Sequence, residues 1–529
     1  MVLNKADHSI LGILVKFLWH SPEFPIHSNG TKPGAFHQMV YYDLNHLMLG
    51  GMPVAQTELK KSLGVFSLIA LGVSGVIGSS WIYTNGTFFD NYGAGGMIFG
   101  LALGSLLAAF VALAYAELTA LFPRAGGEVV YGYAILGRRW GFIAGWLLIG
   151  AYVSSLAFYF TAFGLLLDLV FPFMHSMPLY SIAGQEVSLP VLVSGLGLTL
   201  LFFLLNYFGV SVGAQVQTVL FAVLIGIGIC LAAVGFAQGS WNNFWPPFYE
   251  SQNSVLNTLR FVVPGMTYMA GFGLIATLAE DANLPPKKIG RLVVLTVLLT
   301  GAFYCVVLTA SAFILPWEEV AKMEQGTITA FQKAGYPILG WGAFAIAILG
   351  LLTSFLGLFM ATSRIVVALA RVKLMPSNLA KLHPSHGTPV NALLFVAATT
   401  IGLGWLDKAA VVWFLDTGGI YLGLVWILMV VTLIRLPYKY PHLARRKTRV
   451  LPFIGAIGAL LVIVLALFPG TSISLVWPAE YIILAIWTGL GGIFYLVSGK
   501  VDEQQAIENL LGNYSKTLEE GKNDTKTVA

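Results

Sequence analysis

Two stretches of this chain place glycine, serine and proline where an apolar segment needs an unbroken helix. Gly72-Val-Ser-Gly-Val-Ile-Gly-Ser-Ser80 holds three glycines and three serines inside a long apolar run. Glycine costs about 1 kcal/mol in a helix interior relative to alanine, and serine offers the backbone competing hydrogen bonds. This spacing predicts a local unwinding. Pro264-Gly-Met-Thr-Tyr-Met-Ala-Gly-Phe-Gly273 combines a proline with three glycines. The proline removes one helical hydrogen bond, so a second break is expected there. Free N–H groups at a helix break suit a carboxylate, and free C=O groups suit an ammonium or a sodium ion. A zwitterionic amino acid presents both charges on one carbon. The competing reading is that these glycines only let helices pack closely. A phosphate-cradling loop is disfavoured, because no strand and no Walker lysine accompany the glycines.

Other chemistry-bearing residues are few. Thr353 and Ser354 are adjacent hydroxyls in an apolar run. With span 1 carbonyls, taken as those of Gly72 and Val73, they could surround Na⁺, since hard cations prefer oxygen ligands. The alternative is back-bonding to their own helix. Among the acids, only Asp416, in Phe414-Leu-Asp-Thr-Gly-Gly419, lies clearly inside an apolar run. It would attract a cationic side chain or carry a proton; the plainer reading is an aspartate hydrogen-bonded in a vestibule or capping a break at Gly418-Gly419. Asp168, Glu117 and Arg364 sit near the ends of runs, and Glu117 and Glu280 read as gate or packing residues. No histidine falls within a run, which excludes a histidine proton relay. Cys230 and Cys305 suggest neither a disulfide framework nor a thiolate metal site.

The elements that must position these residues follow from composition. Of 529 residues, 57% are hydrophobic and 10% charged, with a mean hydropathy of +0.80. Soluble chains carry about 25% charge, so the solvent for most of this chain is lipid. That excludes a soluble enzyme and a disordered polymer. The net charge of +5 reads as topology-setting loop lysines and arginines rather than a nucleic-acid surface. Apolar spans fall at about 62–85, 94–121, 139–167, 188–206, 214–238, 255–279, 291–315, 338–366, 389–405, 409–435, 450–468 and 476–497. Of the 29 lysines and arginines, all but Arg260, Lys322, Lys333 and Lys408 fall on one side. That side is expected to be cytoplasmic and to hold both termini. Gly100–Gly104 and Gly141–Gly145 fit close helix packing. Residues 1–61 form the expected N-terminal tail. They include the short apolar stretch Ser9 to His20, and Met52 is an alternative start.

The breaks lie five spans apart. Interrupted segments in matching positions of two halves point to a transporter site. An odd repeat inserts its second copy upside down. The expected organisation is therefore a 5+5 inverted repeat over 62–238 and 255–435, with 450–497 peripheral and 498–529 a cytoplasmic tail.

The motifs resemble the amino acid–polyamine–organocation (APC) superfamily of permeases. GVSGVIGSSWI is similar to that family's span 1 signature. YAELTALFPRAGGEVVYGYAILGRR followed by GFIAGW resembles its stretch between spans 2 and 3, and NYFGVSVGAQVQ its entry to span 5. Gly271-Phe with Thr277-Leu-Ala-Glu-Asp281 resembles the end of span 6, and RIVVALARVKLMPSNLAKLHPSHGTPVN the joint after span 8. The resemblance implies an all-α integral membrane protein of about 12 transmembrane helices. The LeuT-type 5+5 inverted repeat, with helices 1 and 6 broken, would serve amino acid transport by alternating access. It implies a substrate carboxylate on the amides of Gly75, Gly78, Ser79 and Ser80. It implies an amino group on the carbonyls of Val76, Thr267 and Ala270. Tyr268, Gly271 and Phe272 complete the expected binding set, with Asp416 facing a substrate side chain.

Three departures bear on mechanism. Ser80 replaces the last glycine of the family's span 1 motif, which keeps the N–H and narrows the space. Thr267 stands where the family carries an aromatic gate, with Tyr268 beside it. Leu224 stands where many members carry a span 5 lysine, and no Lys or Arg occurs from Gly141 to Thr258. That leaves Na⁺ or H⁺ coupling, or uncoupled exchange. No cofactor is expected beyond a coupling ion. The partners expected are a small amino acid or polyamine and membrane lipid, with no nucleic acid and an open oligomeric state. The location expected is the plasma (cell inner) membrane. A polyamine or organic-cation permease is the nearest alternative. A channel or sensor on the same fold lacks charge rings and a signalling domain. A membrane-embedded enzyme lacks its metal or nucleophile constellation.

Overall fold

The computed structural model describes Leu59 and residues 61–516, apart from 183–184, 252, 444–448 and 472–473. The expectations for residues 1–58, Met52 among them, and for 517–529 lie outside the described residues.

The chain is an all-α membrane protein. The first described helix, α1 (Val65–Val76), stops at the glycine–serine stretch, and α2 (Asn85–Leu121) begins after one 3₁₀ turn, Ser80–Ile82. Gly93, at φ 77°, kinks α2 and separates residues 85–92 from a 94–121 leg. The short α3 (Glu128–Leu136) precedes α4 (Arg138–Asp168), α5 (Leu189–Tyr207) and α6 (Val210–Gln238). The sixth apolar segment divides into α7 (Ser254–Thr267) and α8 (Leu274–Thr277). Then come α9 (Pro286–Ile314), α10 (Pro337–Arg371), α11 (Val390–Gly404), α12 (Asp407–Lys439), α13 (Val450–Leu467), α14 (Ala479–Val497) and α15 (Glu503–Leu511). Among the described residues, nine helices are long and apolar enough to cross a membrane, and α1 and α11 are shorter apolar helices.

The joint after α4 carries an antiparallel hairpin, β1 (Pro178–Ile182) and β2 (Gln185–Ser188). A reading by apolar runs passes over it, because it lies between spans.

Small residues bring the central helices together. A Cβ on Gly104 would lie 2.4 Å from the Met266 nitrogen of α7, and one on Gly265 would lie 2.7 Å from the Leu101 Cα. The α2–α7 contact is thus backbone to backbone, the use small-xxx-small patterns have in lipid. Gly145 sits equally tightly on Val129 and Leu369, which joins α4 to α3 and α10. Inside this frame α1 packs on α6, α9 and α10, so the first break is enclosed by protein. Irregular backbone is tolerated at membrane depth only in such surroundings.

Candidate functional site

The α1 helix ends when Ile77 turns to ψ 91°, its N–H still donating to the Val73 carbonyl at 2.9 Å. The Gly78 N–H then meets the Tyr304 hydroxyl, and those of Ser79 and Ser80 have no backbone acceptor among the described residues. The second break starts after Thr267. Pro264 stays inside α7, and its carbonyl still accepts from Tyr268 N–H at 2.9 Å. The carbonyls of Tyr268, Met269 and Ala270 accept nothing among the described residues, and helix resumes when Leu274 N–H donates to Gly271 O at 3.0 Å. Gly271 joins the two breaks. Its φ is +104°, and a Cβ there would lie 2.6 Å from the Gly75 carbonyl oxygen. Only glycine meets both conditions. Two free donors on one chain segment and three free acceptors on another thus flank this Gly271–Gly75 contact, with no charged side chain among these residues.

The sequence-derived residues divide accordingly. Ser79, Ser80 and Ala270 carry free backbone groups, and Gly78 places its N–H on the Tyr304 hydroxyl. Gly72 and Gly75 lie within α1 and serve packing: a Cβ at Gly72 would meet Ile275 and Thr296, and one at Gly75 would meet Leu274. The Val76 carbonyl accepts from the Tyr304 hydroxyl at 2.9 Å, and the Thr267 carbonyl accepts from Ala270 N–H. Tyr268 packs on Phe88 and Tyr304, and Tyr304 packs on Trp81, which builds an aromatic wall beside the α1 break. Thr267 is exposed and faces Gly419, while Gly418 lies against Ala151 and Ser154. Small residues of α12 and α4 therefore meet beside the second break. Phe272 is fully buried, stacked on Trp426 at 5.3 Å and edge-on to Tyr115 at 5.1 Å. It forms the floor.

A cage of oxygens stands behind the first break. Thr353 Oγ1 lies 3.2 Å from Ser74 O and 3.1 Å from Gly350 O, and Ser354 Oγ lies 3.1 Å from both Ser74 O and Ile77 O. The span 1 carbonyls that meet these hydroxyls belong to Ser74 and Ile77, not to Gly72 and Val73. Thr353 also bonds back to Leu349 O at 2.8 Å, so the two readings of this hydroxyl coexist. The Gln217 side-chain amide donates to Thr353 O at 3.0 Å and to Ser74 Oγ. Leu224 is buried and apolar.

Asp416 is exposed, and its carboxyl faces that of Glu480 from α14. Glu480 is fully buried and accepts from Val476 N–H at 2.6 Å. Reading Asp416 as the one acid clearly inside a span missed this partner. Glu480 stands at the start of its span, where an acid reads as a cap.

The basic end below the floor is closed by charge. Arg364, 1% exposed, pairs with Asp281 through two contacts of 3.3 Å. Glu280 accepts from Arg371 at 2.9 and 3.1 Å, from Ala125 N–H at 3.0 Å and from Leu59 N–H at 3.1 Å, with Arg124 at 3.5 Å. Burial alone would raise its pKa. Arg371 and Arg124 overcome that and hold it down at about 2. Leu63 and Ser62 donate their N–H groups to Asp281 O, which straps the chain before α1 to the end of the sixth segment. Glu280 was legible as a gate or packing residue; the pairing of Asp281, Arg371 and Arg124 was not, because it spans 83 to 156 residues of sequence.

Comparison with known proteins adds to this geometry. The family model described as amino acid permease matches residues 63–492. The branched-chain amino acid permease BcaP of Lactococcus lactis is 27% identical, over 77% of this chain and 90% of its own. BcaP of Bacillus subtilis is 26% identical, over 66% of this chain and 76% of its own. Human cationic amino acid transporter 4 is 24% identical, over 69% of this chain and 58% of its own.

Proposed function

The chain belongs to the amino acid permease family, and from that premise we propose that it carries a neutral amino acid across the cell membrane by alternating access, coupled to Na⁺. It is an integral multi-pass membrane protein of amino acid transport. The observation that carries the finer reading is the pair of facing breaks. Ser79 and Ser80 offer N–H groups to a carboxylate, with the Gly78 N–H beside them on the Tyr304 hydroxyl, and Tyr268, Met269 and Ala270 offer C=O groups to an ammonium. Backbone dipoles meet both charges of a zwitterion without a charged side chain. The substrate side chain then lies toward Ala151, Ser154, Gly418 and Gly419, a wall of small residues that a branched apolar group would pack against. The names of the two bacterial relatives agree with that choice.

Ser74 O, Ile77 O, Gly350 O, Thr353 Oγ1 and Ser354 Oγ are five oxygens suited to a hard cation. Na⁺ there would fasten α1 to α10, so ion binding and the state of the first break are linked. On this reading the basic end is cytoplasmic, about 12 spans form a 5+5 inverted repeat, and the protein resides in the plasma membrane. Ion pairs seal the cytoplasmic end while Thr267 and Asp416 are exposed. This is the outward-facing member of the cycle. No reaction chemistry and no cofactor enter.

A second reading, a basic amino acid or polyamine as substrate, is favoured by the Asp416–Glu480 acids beside the pathway. Uptake into proteoliposomes decides between them. Leucine, isoleucine, valine, lysine, arginine and spermidine are offered under an inward Na⁺ gradient and again in choline. The proposal expects the branched apolar amino acids to enter faster with Na⁺. Equal rates in both buffers remove the sodium cage, and entry of the cations alone removes the neutral substrate.

A further inference from the structure

We propose that Glu128 is a proton-binding site of this transporter, protonated while the basic end is closed and releasing its proton to that side when α8 moves away. The inference rests on the transport reading for its cycle, and on the geometry below for the site itself.

Glu128 opens α3, in the joint between the second and third spans. Two glycines put it there. Gly126 and Gly127 both have positive φ, +85° and +28°. A Cβ on Gly126 would meet Ala368 of α10 at 2.3 Å, and one on Gly127 would meet the Ala276 carbonyl of α8 at 2.9 Å. Gly126 N–H donates to Thr277 O at 3.0 Å. The start of α3 is thus pressed directly onto the lower half of the broken sixth segment. The Glu128 side chain turns inward and is fully buried, with Oε1 only 2.6 Å from where a Cβ on Gly273 would lie. It stands at the edge of the second break.

Among the described residues no counter-charge faces it. Thr277 Oγ1 donates to Oε2 at 3.1 Å, and the Tyr115 hydroxyl donates to the same carboxyl. Tyr115 faces it from α2, Tyr152 from α4 and Tyr131 from its own helix. Tyr131 donates its hydroxyl to Thr119 at 3.0 Å. The nearby charged groups of α8, α10 and the preceding joint are occupied with each other: Arg364 with Asp281, and Arg371 and Arg124 with Glu280. An ionised carboxylate without a cation is among the costliest groups to bury, and it responds by taking a proton. Burial pushes the Glu128 pKa up to about 7, against the pull of its own backbone N–H and of the Thr277 and Tyr115 hydroxyls.

The neutral form belongs to the closed state. On closing, an O–H bond forms at the carboxyl with a proton taken from solution. On opening, when α8 leaves Gly127 and water reaches the carboxylate, that bond breaks and the proton passes to water. Nothing is oxidised or reduced. A carboxyl that returns to its ordinary range when hydrated binds its proton more tightly in the closed state. The closed-to-open ratio therefore falls by on the order of a hundredfold as pH rises from about 4.5 through 7.

The test uses the purified full-length protein and Glu128→Gln, which keeps the shape and removes the titration. Infrared difference spectra between pH 6 and pH 8 report the C=O stretch of a protonated carboxyl. The wild type should lose a band with a midpoint near pH 7 that is missing from E128Q. Leucine uptake in proteoliposomes at fixed Na⁺ should change several-fold with lumenal pH in the wild type and stay flat in E128Q. Identical infrared differences in the two proteins overturn the site. A band without any difference in the uptake profiles overturns its release on opening. If E128Q does not fold, Glu128→Asp serves; the same band at the same midpoint would overturn the assignment. A Glu128 band in a protein that takes up no leucine leaves the proton site standing and removes the neutral-substrate reading instead. Loss of arginine or lysine binding in E128Q with an unchanged pH profile would make Glu128 a substrate contact, which also overturns the proposal.

Discussion

Replacing Glu280 by glutamine should open the basic end. In the closed protein its carboxylate gathers two bonds from Arg371, the N–H groups of Ala125 and Leu59, and the Arg124 guanidinium at 3.5 Å. Glutamine keeps one acceptor oxygen and turns an NH₂ toward two cations. Removing one partner of a buried ion pair costs about 3–5 kcal/mol, because the other charge stays buried. The Arg371 side chain is 14% exposed, so water recovers part of that cost, and about 3 kcal/mol is the working figure. Both arginines hydrate freely once the end opens, so nearly all of this acts on the closed state alone. The closed-to-open ratio should fall by roughly a hundredfold, at about 1.4 kcal/mol per tenfold. A cysteine at Ala276, fully buried against Gly127, reports the change. In inside-out vesicles of a variant lacking Cys230 and Cys305, an impermeant maleimide should label Ala276→Cys about a hundred times faster when E280Q is added. An unchanged labelling rate in a protein that keeps its helical content would refute the gate. The pH dependence has a definite sign. A carboxylate held down at about 2 contributes closure above its ordinary value near 4.5 and loses it only as pH falls through 2. The Glu280 cluster is therefore constant from pH 5 to 9, and any pH dependence of closure in that range has another source.

Gly271→Ala should abolish amino acid binding: the left-handed backbone costs about 1–2 kcal/mol and a Cβ at 2.6 Å from Gly75 O cannot be relieved by rotating a side chain. The leucine-induced rise in melting temperature should vanish, and a retained rise would show that the two breaks need not touch. Thr353→Val with Ser354→Ala should remove the stimulation of uptake by Na⁺ while leaving the rate in choline unchanged; stimulation that survives places the ion elsewhere. Deleting residues 500–529 takes away Leu510, whose carbonyl accepts from Arg124 Nε at 3.0 Å. It should shift closure by about 1 kcal/mol, or roughly fivefold in the Ala276→Cys labelling rate; a shift as large as that of E280Q would mean that the C-terminal helix, not the ion cluster, closes this end.

Most of the fold was legible because lipid imposes one requirement on every span. Backbone groups must be satisfied within the segment, so long apolar runs are helices and Gly/Ser/Pro clusters inside them mark breaks. The breaks fell a few residues later than composition alone suggested. Gly72 and Gly75 remain helical because α1 packs on Ile275 and Leu274 there, and Pro264 remains helical because a proline disturbs only the bonds behind it. The hairpin over 178–188 was not legible, since its short strands lie outside any apolar run.

The candidate site was legible where backbone does the chemistry and illegible where side chains meet across the fold. Sequence position shows that Gly78, Ser79 and Ser80 occupy a break; it does not show that Tyr304 takes the Val76 carbonyl 228 residues away. Acids suffer most from this. An acid inside a span is conspicuous, which is why Asp416 drew notice, yet it is exposed. Glu128 and Glu480 are fully buried, and both sit at the edge of a span, where a carboxylate reads as solvated. Which of two acids pays desolvation depends on whether a joint folds back into the bundle. For Glu128 two left-handed glycines decide that, by letting α3 lie on bare backbone of α8. The pattern Ala-Gly-Gly-Glu therefore carries more than a turn before a helix: the glycines supply the contact that dries the acid, and the dry acid is what makes that contact respond to protons.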